Sequence, residues 1–269
     1  MRLGSALQIL LGTCSVEYFR DRVFEKRTAY FRSRQEVNEI LLDVSSGLMH
    51  TYEKLDDVCL NDSEKRRKTV VSGDKTLVLN DIQDDYIALK SICTNIGKTL
   101  GVSCYVNAYI TPRYSQGFLP HYDSHDVIIL QLDGSKSWTV QNDSPQLVTK
   151  GSIQATFKSC AEASMQVELE KGSALYIPRG QIHAARTGSE RSVHLTIGLY
   201  PVEISEVIAE MIEMSTYKST VFRQRVDITD NSIESFEKMK ERIDFVIRET
   251  NTYEAYMSAL AAIRRRLDH

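Results

Sequence analysis

Two histidines and one aspartate are spaced in this chain as the ligands of a metal ion would be. His121 and Asp123 are two positions apart, and His183 lies far downstream, directly after the sequence Tyr176-Ile-Pro-Arg-Gly-Gln-Ile182. Because residues i and i+2 of an extended strand face the same side, the side chains of His121 and Asp123 are expected to enter one barrel interior. Two imidazoles and one carboxylate suit octahedral iron(II), since three adjacent coordination positions stay open. The spacing therefore predicts His121, Asp123 and His183 as metal ligands and catalytic residues.

A His-x-Asp triplet alone is a weak signal, because a lone buried histidine is more often a hydrogen-bonded core residue than a ligand. The order of the motifs strengthens it: the triplet is followed by Lys136 beyond the next predicted strand, and then by a histidine after a Pro-Arg-Gly turn. His125 would share the face of His121, but no carboxylate lies two positions after it. We therefore predict that His125 is not a ligand.

Lys136 is the candidate for binding an anionic cosubstrate. It follows the Asp133-Gly134 turn and precedes Trp138 by two positions, so the two side chains share a face of a regular strand. A barrel that binds 2-oxoglutarate must neutralise its distal carboxylate, because burying an unpaired charge is costly. An exposed strand lysine is the alternative for Lys136, and core packing is the simpler explanation for Trp138.

Polar residues on neighbouring strands are further candidates for cofactor binding. Tyr105, Asn107 and Tyr109 share one face of the strand before the triplet, where they could bind cosubstrate or orient substrate. Core tyrosines are an equally good explanation. His194 lies on the last predicted strand, and we expect it to contact the cosubstrate or support the ligands rather than bind metal.

The segments before the triplet are predicted to be mainly helical. Residues 1–60 contain apolar positions at three- and four-residue spacing, namely Val37, Ile40, Leu41, Val44, Leu48 and Tyr52. Asp62–Lys75 is polar and predicts an exposed loop or hairpin. Ile82–Leu100 returns to helical spacing, with Gly101 as its expected C-cap.

From Val102 to about Tyr200 the sequence is typical of short antiparallel strands separated by turns. The predicted strands are Val102–Ile110, Val127–Leu132, Ser137–Val140, Gln166–Leu169, Ala174–Ile177 and Val193–Leu199. Such a series is what a double-sheet jelly roll, or cupin, requires. We predict an α+β protein with a double-stranded β-helix core, N-terminal helices and a C-terminal helical region.

About three helices are predicted after Pro201. A segment of this size buries little core by itself, so we expect it to pack on the barrel or on a second subunit. The apolar stripe of Ser232–Arg248 favours a homodimer. The predicted domains are residues 1–100, a mainly helical segment packing on the barrel; 101–200, the catalytic jelly roll; and 201–269, a helical region expected to form a dimer.

Composition and charge narrow the class of protein. The chain has 269 residues, 42% hydrophobic and 26% charged, which fits one sizeable globular domain with an appendage. A net charge of -3 disfavours nucleic acid as the main partner. The basic runs Lys65–Lys68 and Arg264–Arg266 are more simply solvated faces.

Cysteine usage and hydropathy suggest where the protein resides. The five cysteines are scattered, which favours reduced thiols over a disulfide framework or a zinc site. Leu3–Leu11 is apolar but lacks a cleavage signature, and no stretch approaches the length of a membrane span. We expect a cytoplasmic protein without a membrane partner.

At these residues the sequence resembles the JmjC-type ribosomal oxygenase family, the cupin-like iron(II)- and 2-oxoglutarate-dependent protein hydroxylases. The resemblance covers about half of the chain and is weaker over Phe19–Phe31. It is carried by the segments Asn107–Pro112, Ser115–Asp123, Asp126–Gly134, Lys136, Trp138, Ile177–His183 and His194–Gly198. It implies iron at the triad, the distal carboxylate of 2-oxoglutarate at Lys136, and pocket contacts near Asn107, Tyr109 and His194.

The activity that this resemblance implies is hydroxylation of an amino-acid side chain in a protein or peptide, using dioxygen and giving succinate and carbon dioxide. The family's usual substrate is a ribosomal protein; a ribosomally made natural-product precursor is the alternative. Family members typically continue into a winged-helix domain, which we expect to be missing or replaced after Tyr200. A demethylase, a small-molecule oxygenase and a non-catalytic binding cupin remain alternatives.

Overall fold

The computed structural model of the protein describes residues 6–32, 41–53, 68–71, 76–141, 147–149, 163–226, 229, 232–250 and 252–267. The chain divides into two compact units, Met1–Pro201 and Val202–His269. Among the helices in these ranges, none combines the length and apolar character needed to cross a bilayer.

The first unit combines helices with two antiparallel sheets. Its helices are α1 (Ala6–Leu11), α2 (Val16–Arg22), α3 (Leu42–Glu53) and α4 (Ile87–Leu100), with a 3-10 turn at Ile82–Asp84. Its strands are β1 (Ala29–Phe31), β2 (Lys68–Val71), β3 (Thr76–Leu79), β4 (Val102–Thr111), β5 (Asp126–Asp133), β6 (Ser135–Gln141), β7 (Ala163–Glu170), β8 (Ala174–Ile177), β9 (His183–Arg186) and β10 (Ser192–Pro201).

The strands form a seven-stranded sheet in the order β1-β8-β5-β10-β4-β3-β2 and a three-stranded sheet in the order β7-β6-β9. Chain neighbours such as β5 and β6 lie in different sheets, as in a jelly roll. The predicted α+β class with a double-stranded β-helix core is confirmed.

Strand β5 contributes side chains to two hydrophobic cores, one on each face of the seven-stranded sheet. Side chains alternate along a strand, and nearly all of β5 is buried. Ile128 and Leu130 pack in a core with the helix residues Phe19 and Leu89, whereas the alternate residues Val127 and Ile129 pack between the sheets. The second core also contains Trp138, Val140, Leu169, Leu175 and Ile177. The site described below lies on that inner face.

Local sequence signals are followed closely in some segments and not in others. Helix α4 ends at Gly101, whose φ of 71° is the left-handed conformation of a C-cap glycine. β2 and β3 pair as the anticipated hairpin. The prediction of a mainly helical segment at residues 1–60 did not include β1, whose three residues pair with β8. This pairing has no local sequence pattern. Val37 and Ile40 lie outside the described residues.

The second unit is helical over the residues described. It contains α5 (Ile204–Thr216), a 3-10 turn at Thr220–Arg223, α6 (Ile233–Thr250) and α7 (Tyr253–Leu267). Helix α5 begins with a capping box in which Glu203 and Glu206 each accept a hydrogen bond from the other's backbone N–H. Arg266 of α7 donates to the buried carboxylate of Glu210 over 2.6 Å. This ion pair joins α7 to α5 within the second unit.

Candidate metal and cosubstrate site

The three predicted ligands come together in the structure. His121, Asp123 and His183 each offer one ligand atom, and these atoms lie within 4.8 Å of one another. One carboxylate oxygen of Asp123 is 3.8 Å from Nε2 of His121, and the other is 3.6 Å from Nε2 of His183. Two nitrogens and one oxygen on one side of a small space can hold a divalent metal ion with cis positions left open.

The backbone that carries these residues differs from the expectation. His121 and Asp123 do not lie in a regular strand; His121 forms an isolated antiparallel bridge with His183. The N–H of His183 donates to the carbonyl of His121 over 2.8 Å, and the reverse bond is 3.1 Å. Pro120 cannot donate a backbone hydrogen bond, so a ladder cannot continue through it. The two histidines are brought together by their own backbones.

Both imidazole rings are held through the nitrogen that faces away from Asp123. Nδ1 of His121 lies 2.7 Å from the carbonyl of Leu119, and Nδ1 of His183 lies 3.0 Å from that of Gln181. A proton on each Nδ1 leaves Nε2 free to bind metal. Burial lowers the pKa of His183, which favours the neutral ring that metal binding requires.

A cavity of about 220 Å³ adjoins the triad. It lies between the inner faces of the two sheets, so its walls come from several strands. Besides the triad, its lining includes Tyr109, Gln116, Phe118, Val127, Ile129, Lys136, Trp138, His194 and Thr196. Lys136, Tyr109 and His194 were predicted from the sequence.

Lys136 carries a buried cation in this cavity. Its side chain donates to the Thr111 hydroxyl over 2.9 Å, and the residue is only 4% exposed. Burial lowers the pKa of Lys136 to about 7. No carboxylate among the described residues pairs with it. A buried ammonium group that lacks a carboxylate partner favours an anionic ligand.

An aromatic wall stands beside Lys136. The rings of Tyr109 and His194 stack with centroids 4.8 Å apart and an interplanar angle of 2°, while Trp138 meets His194 edge-on at 5.6 Å. Nδ1 of His194 and Nε1 of Trp138 are buried, and neither has a hydrogen-bond partner in the part of the chain that the structure describes. Burial and the charge of Lys136 lower the pKa of His194. Trp138, which we explained as core packing, is both core and cavity wall.

Two of the singled-out residues lie apart from the triad. Asn107 does not line the cavity; its side-chain oxygen accepts from the backbone N–H of Asp81 over 3.0 Å. His125 stacks on Tyr200 with centroids 4.4 Å apart and does not belong to the ligand cluster. Gly198 allows this stack, because a Cβ there would lie 3.0 Å from the His125 ring.

Sequence reasoning missed the cavity residues Gln116 and Phe118. They lie in the irregular segment before the triplet, where Gly117 adopts a φ of 84° and no periodicity assigns side chains to a face. The glycine and the two flanking prolines, Pro112 and Pro120, mark a turning loop but not its direction.

Residues 83–207 match the family model described as the JmjC domain. The chain is 34% identical over 142 residues to the bifunctional lysine-specific demethylase and histidyl-hydroxylase NO66 of Dictyostelium discoideum, covering 49% of this chain and 28% of that protein. It is 41% identical over 98 residues to ribosomal oxygenase 1 of Rattus norvegicus, covering 35% of this chain and 16% of that protein. The chain thus spans less than a third of the length of these relatives.

The fold is similar to that of solved ribosomal oxygenases. A crystal structure of Escherichia coli YcfD superposes with a TM-score of 0.56 at 18% identity, over 92% of this chain and 70% of that chain. YcfD in complex with cobalt and 2-oxoglutarate gives a TM-score of 0.55 at 14% identity, over 93% and 71% of the two chains. The predicted resemblance to the JmjC-type ribosomal oxygenases is confirmed.

Proposed function

We propose that this chain, whose residues 83–207 form a JmjC domain, is an iron(II)- and 2-oxoglutarate-dependent oxygenase that hydroxylates a side chain in a protein or peptide. The observation that carries the proposal is one cavity that contains both a two-histidine, one-carboxylate cluster and a buried lysine. The first can hold iron, and the second can bind the distal carboxylate of a dicarboxylic acid.

Each part of the cavity has a task in this reaction. Iron(II), held by His121, Asp123 and His183, supplies the activation of dioxygen, while 2-oxoglutarate is converted to succinate and carbon dioxide. Lys136 neutralises the distal carboxylate of 2-oxoglutarate and so fixes its orientation. The buried N–H of Trp138 and Nδ1 of His194 offer further hydrogen bonds to the same ligand. The apolar residues Val127 and Ile129 exclude water from the reacting groups.

A peptide rather than a free metabolite is the proposed substrate class. Large apolar side chains are exposed on the loop before the triad, at Tyr114, Phe118 and Leu119, and Phe118 also lines the cavity. An apolar patch beside a cavity favours contact with a larger partner. Relatives named ribosomal oxygenase or histidyl-hydroxylase support a ribosomal protein as the target, with a ribosomally made natural-product precursor as the alternative.

Demethylation is the second candidate, because the names of the NO66 relatives include lysine-specific demethylase. The same triad can serve both reactions, since hydroxylation of an N-methyl group gives a carbinolamine that releases formaldehyde. Formaldehyde released in step with succinate would favour the demethylase. Turnover of a free amino acid without any peptide would favour a small-molecule oxygenase.

We also propose that the helices of the second unit form a homodimer. Apolar side chains at helical spacing remain exposed on α5, at Ile204, Ile208 and Ile212. On α6 the exposed apolar residues include Phe236, Ile243 and Ile247. Amphipathic helices with uncovered apolar stripes need a partner surface. Light scattering at micromolar concentration should give the mass of a dimer, and the mass of a monomer would rule out the homodimer.

A cytoplasmic location stays a prediction.

Anaerobic titration with iron(II) and 2-oxoglutarate tests the function without a substrate. The weak visible charge-transfer band of an iron–ketoacid chelate should develop with the native chain and be lost in His183→Ala and Lys136→Ala. Lys171→Ala is the matched control, because that lysine side chain is 54% exposed and should leave the band unchanged. A native chain that gives no band would leave a non-catalytic binding cupin as the better explanation.

A further inference from the structure

A buried polar network lies at the turn that precedes His183. Asp126, at the start of β5, is fully buried. One of its carboxylate oxygens accepts from the hydroxyl of Tyr176 over 2.6 Å and from the backbone N–H of Arg179 over 3.4 Å. Both donors belong to β8 or to the turn after it. The carboxylate therefore ties the end of β8 to the beginning of β5, just after the loop that carries Asp123.

The N-terminal segment completes this network from the other side. Arg179 donates to the carboxylate of Glu25 over 2.6 Å, and the backbone N–H of Glu25 donates to the Tyr176 hydroxyl over 2.7 Å. The hydroxyl of Thr28 donates to the side-chain oxygen of Gln181. Two side-chain contacts, Glu25–Arg179 and Thr28–Gln181, thus connect residues 25–28 to the turn at residues 178–181. Glu25 adopts a φ of 57°, a left-handed conformation that costs a non-glycine residue energy.

The same turn contacts two of the proposed metal ligands. The backbone N–H of Gly180 donates to the carbonyl of Asp123 over 2.9 Å, and the carbonyl of Gln181 lies 3.0 Å from Nδ1 of His183. Movement of the turn would therefore shift the backbone of one ligand and rotate the ring of another. A charge-assisted hydrogen bond is stronger than a neutral one, so we expect the Glu25–Arg179 pair to hold this turn more strongly than the neutral Thr28–Gln181 hydrogen bond does.

We infer that Glu25 and Arg179 are positioning residues of the metal site, through which the N-terminal segment sets the geometry of Asp123 and His183. Glu25 lies outside the residues matched by the JmjC family model, so the metal site is supported by a segment beyond that domain. The inference rests on the proposed function, because it assumes that the triad binds a divalent metal.

Cobalt(II) titration of the full chain tests this inference without turnover. Groups that orient metal ligands typically change metal affinity by about 10–100-fold. Glu25→Gln should weaken cobalt binding by about tenfold and alter the visible d–d bands, which report ligand geometry. Arg179→Lys, which keeps the charge but loses the fork-shaped donor, should give a smaller loss. Glu25→Gly should weaken binding like Glu25→Gln, while glycine relieves the left-handed backbone and preserves the fold.

Glu210→Gln is the matched control, because the Glu210–Arg266 pair has the same 2.6 Å length and also one buried partner. It should change thermal stability about as much as Glu25→Gln while leaving the cobalt affinity and spectrum at native values. Native affinity and spectrum in both Glu25 variants, with folding verified by circular dichroism, would overturn the inference. So would an equal loss in Glu210→Gln. A native chain that binds no cobalt would instead overturn the proposed function.

Discussion

The two ends of the cavity differ in how completely the protein satisfies its own polar groups. At the triad, Nδ1 of His121 and Nδ1 of His183 each face a backbone carbonyl. At the other end, the Thr111 hydroxyl is the one described hydrogen-bond partner of Lys136, and polar atoms of His194 and Trp138 are buried without partners among the described residues. Buried polar atoms without partners cost free energy. If the proposed function holds, the metal end is organised before the metal binds, whereas the lysine end gains its missing partners only when a ligand binds.

Removal of a metal ligand should have the largest effect. His183→Ala takes away a ring whose orientation is already fixed, and no other described histidine joins the cluster to replace it. We expect metal-dependent consumption of 2-oxoglutarate to fall more than about 100-fold, beyond the range for groups that only orient ligands. Asp123→Ala should do the same. Measurement of succinate formation checks both. His125→Ala is the control, and a comparable loss there would contradict the assigned triad.

Lys136→Met should show that the lysine end of the cavity, unlike the metal end, lacks a partner before ligand binds. It should raise the free energy of unfolding while lowering the affinity for 2-oxoglutarate. Loss of a charge-assisted contact worth about 1.5–3 kcal/mol should weaken 2-oxoglutarate binding about 10–100-fold. The ligand-free variant should be more stable than the native chain by about 1 kcal/mol, since an apolar side chain removes a buried ammonium group. Calorimetric titration and urea unfolding measure the two quantities. A less stable variant would show that the lysine end is already satisfied without ligand.

The pH dependence of binding should follow the pKa of Lys136, which burial lowers to about 7. A bound carboxylate favours the charged form, so binding above pH 7 should take up a proton. The affinity for 2-oxoglutarate should therefore fall as pH rises above 7, by up to about tenfold per pH unit. Calorimetry in buffers of different ionisation enthalpy measures the uptake. Lys136→Met should show none, and proton release by the native chain would contradict the assignment.

The Lys136 amine also affects the free energy of unfolding. This contribution should rise with pH, whereas the affinity for 2-oxoglutarate should fall. At pH values between 7 and the ordinary pKa of a lysine, Lys136 carries fewer protons in the folded chain than in the unfolded chain. Its contribution to the free energy of unfolding should therefore increase with pH across this window. Urea unfolding at pH 7 and pH 9, compared between the native chain and Lys136→Met, isolates that contribution. An equal pH trend in the two proteins would exclude Lys136 as its source.

Trp138→Phe should have the smallest effect. It removes the buried indole N–H, which has no partner among the described residues, while keeping an aromatic ring in the wall. If that N–H donates to the bound cosubstrate, its loss should weaken 2-oxoglutarate binding by about fivefold, the value of one neutral hydrogen bond. The ligand-free chain should keep its stability. Unchanged affinity would mean that Trp138 acts only by packing against His194.

The contrast between His121 and His125 shows what the sequence could distinguish. Both histidines fit the same two-residue period, and only the carboxylate that follows His121 separated them. The structure places His125 against Tyr200 and His121 against His183. Residue type and spacing therefore selected the same three residues that the structure brings together, even though the strand expected around His121 and Asp123 does not form.

The sequence by itself determined the features that depend on neighbours along the chain. Runs of β-branched and aromatic residues between turns predicted β4, β5 and β10, and Gly101 after a run of helical spacing predicted the end of α4. The inward direction of Lys136 followed from its two-residue offset from Trp138. These features were predictable because residue preferences for strands, turns and helix ends, and the two-residue period of a strand, depend only on neighbours along the chain.

Only the tertiary structure decided how distant segments meet. The bridge between His121 and His183, the pairing of β1 with β8, and the ion pair between Glu25 and Arg179 each join segments far apart in sequence. The local patterns of these segments do not specify which distant segment each one contacts. The residues able to bind the metal could be read from the chain, but the geometry that orients them comes from pairings that exist only after the chain has folded, because contacts between distant residues have no sequence period.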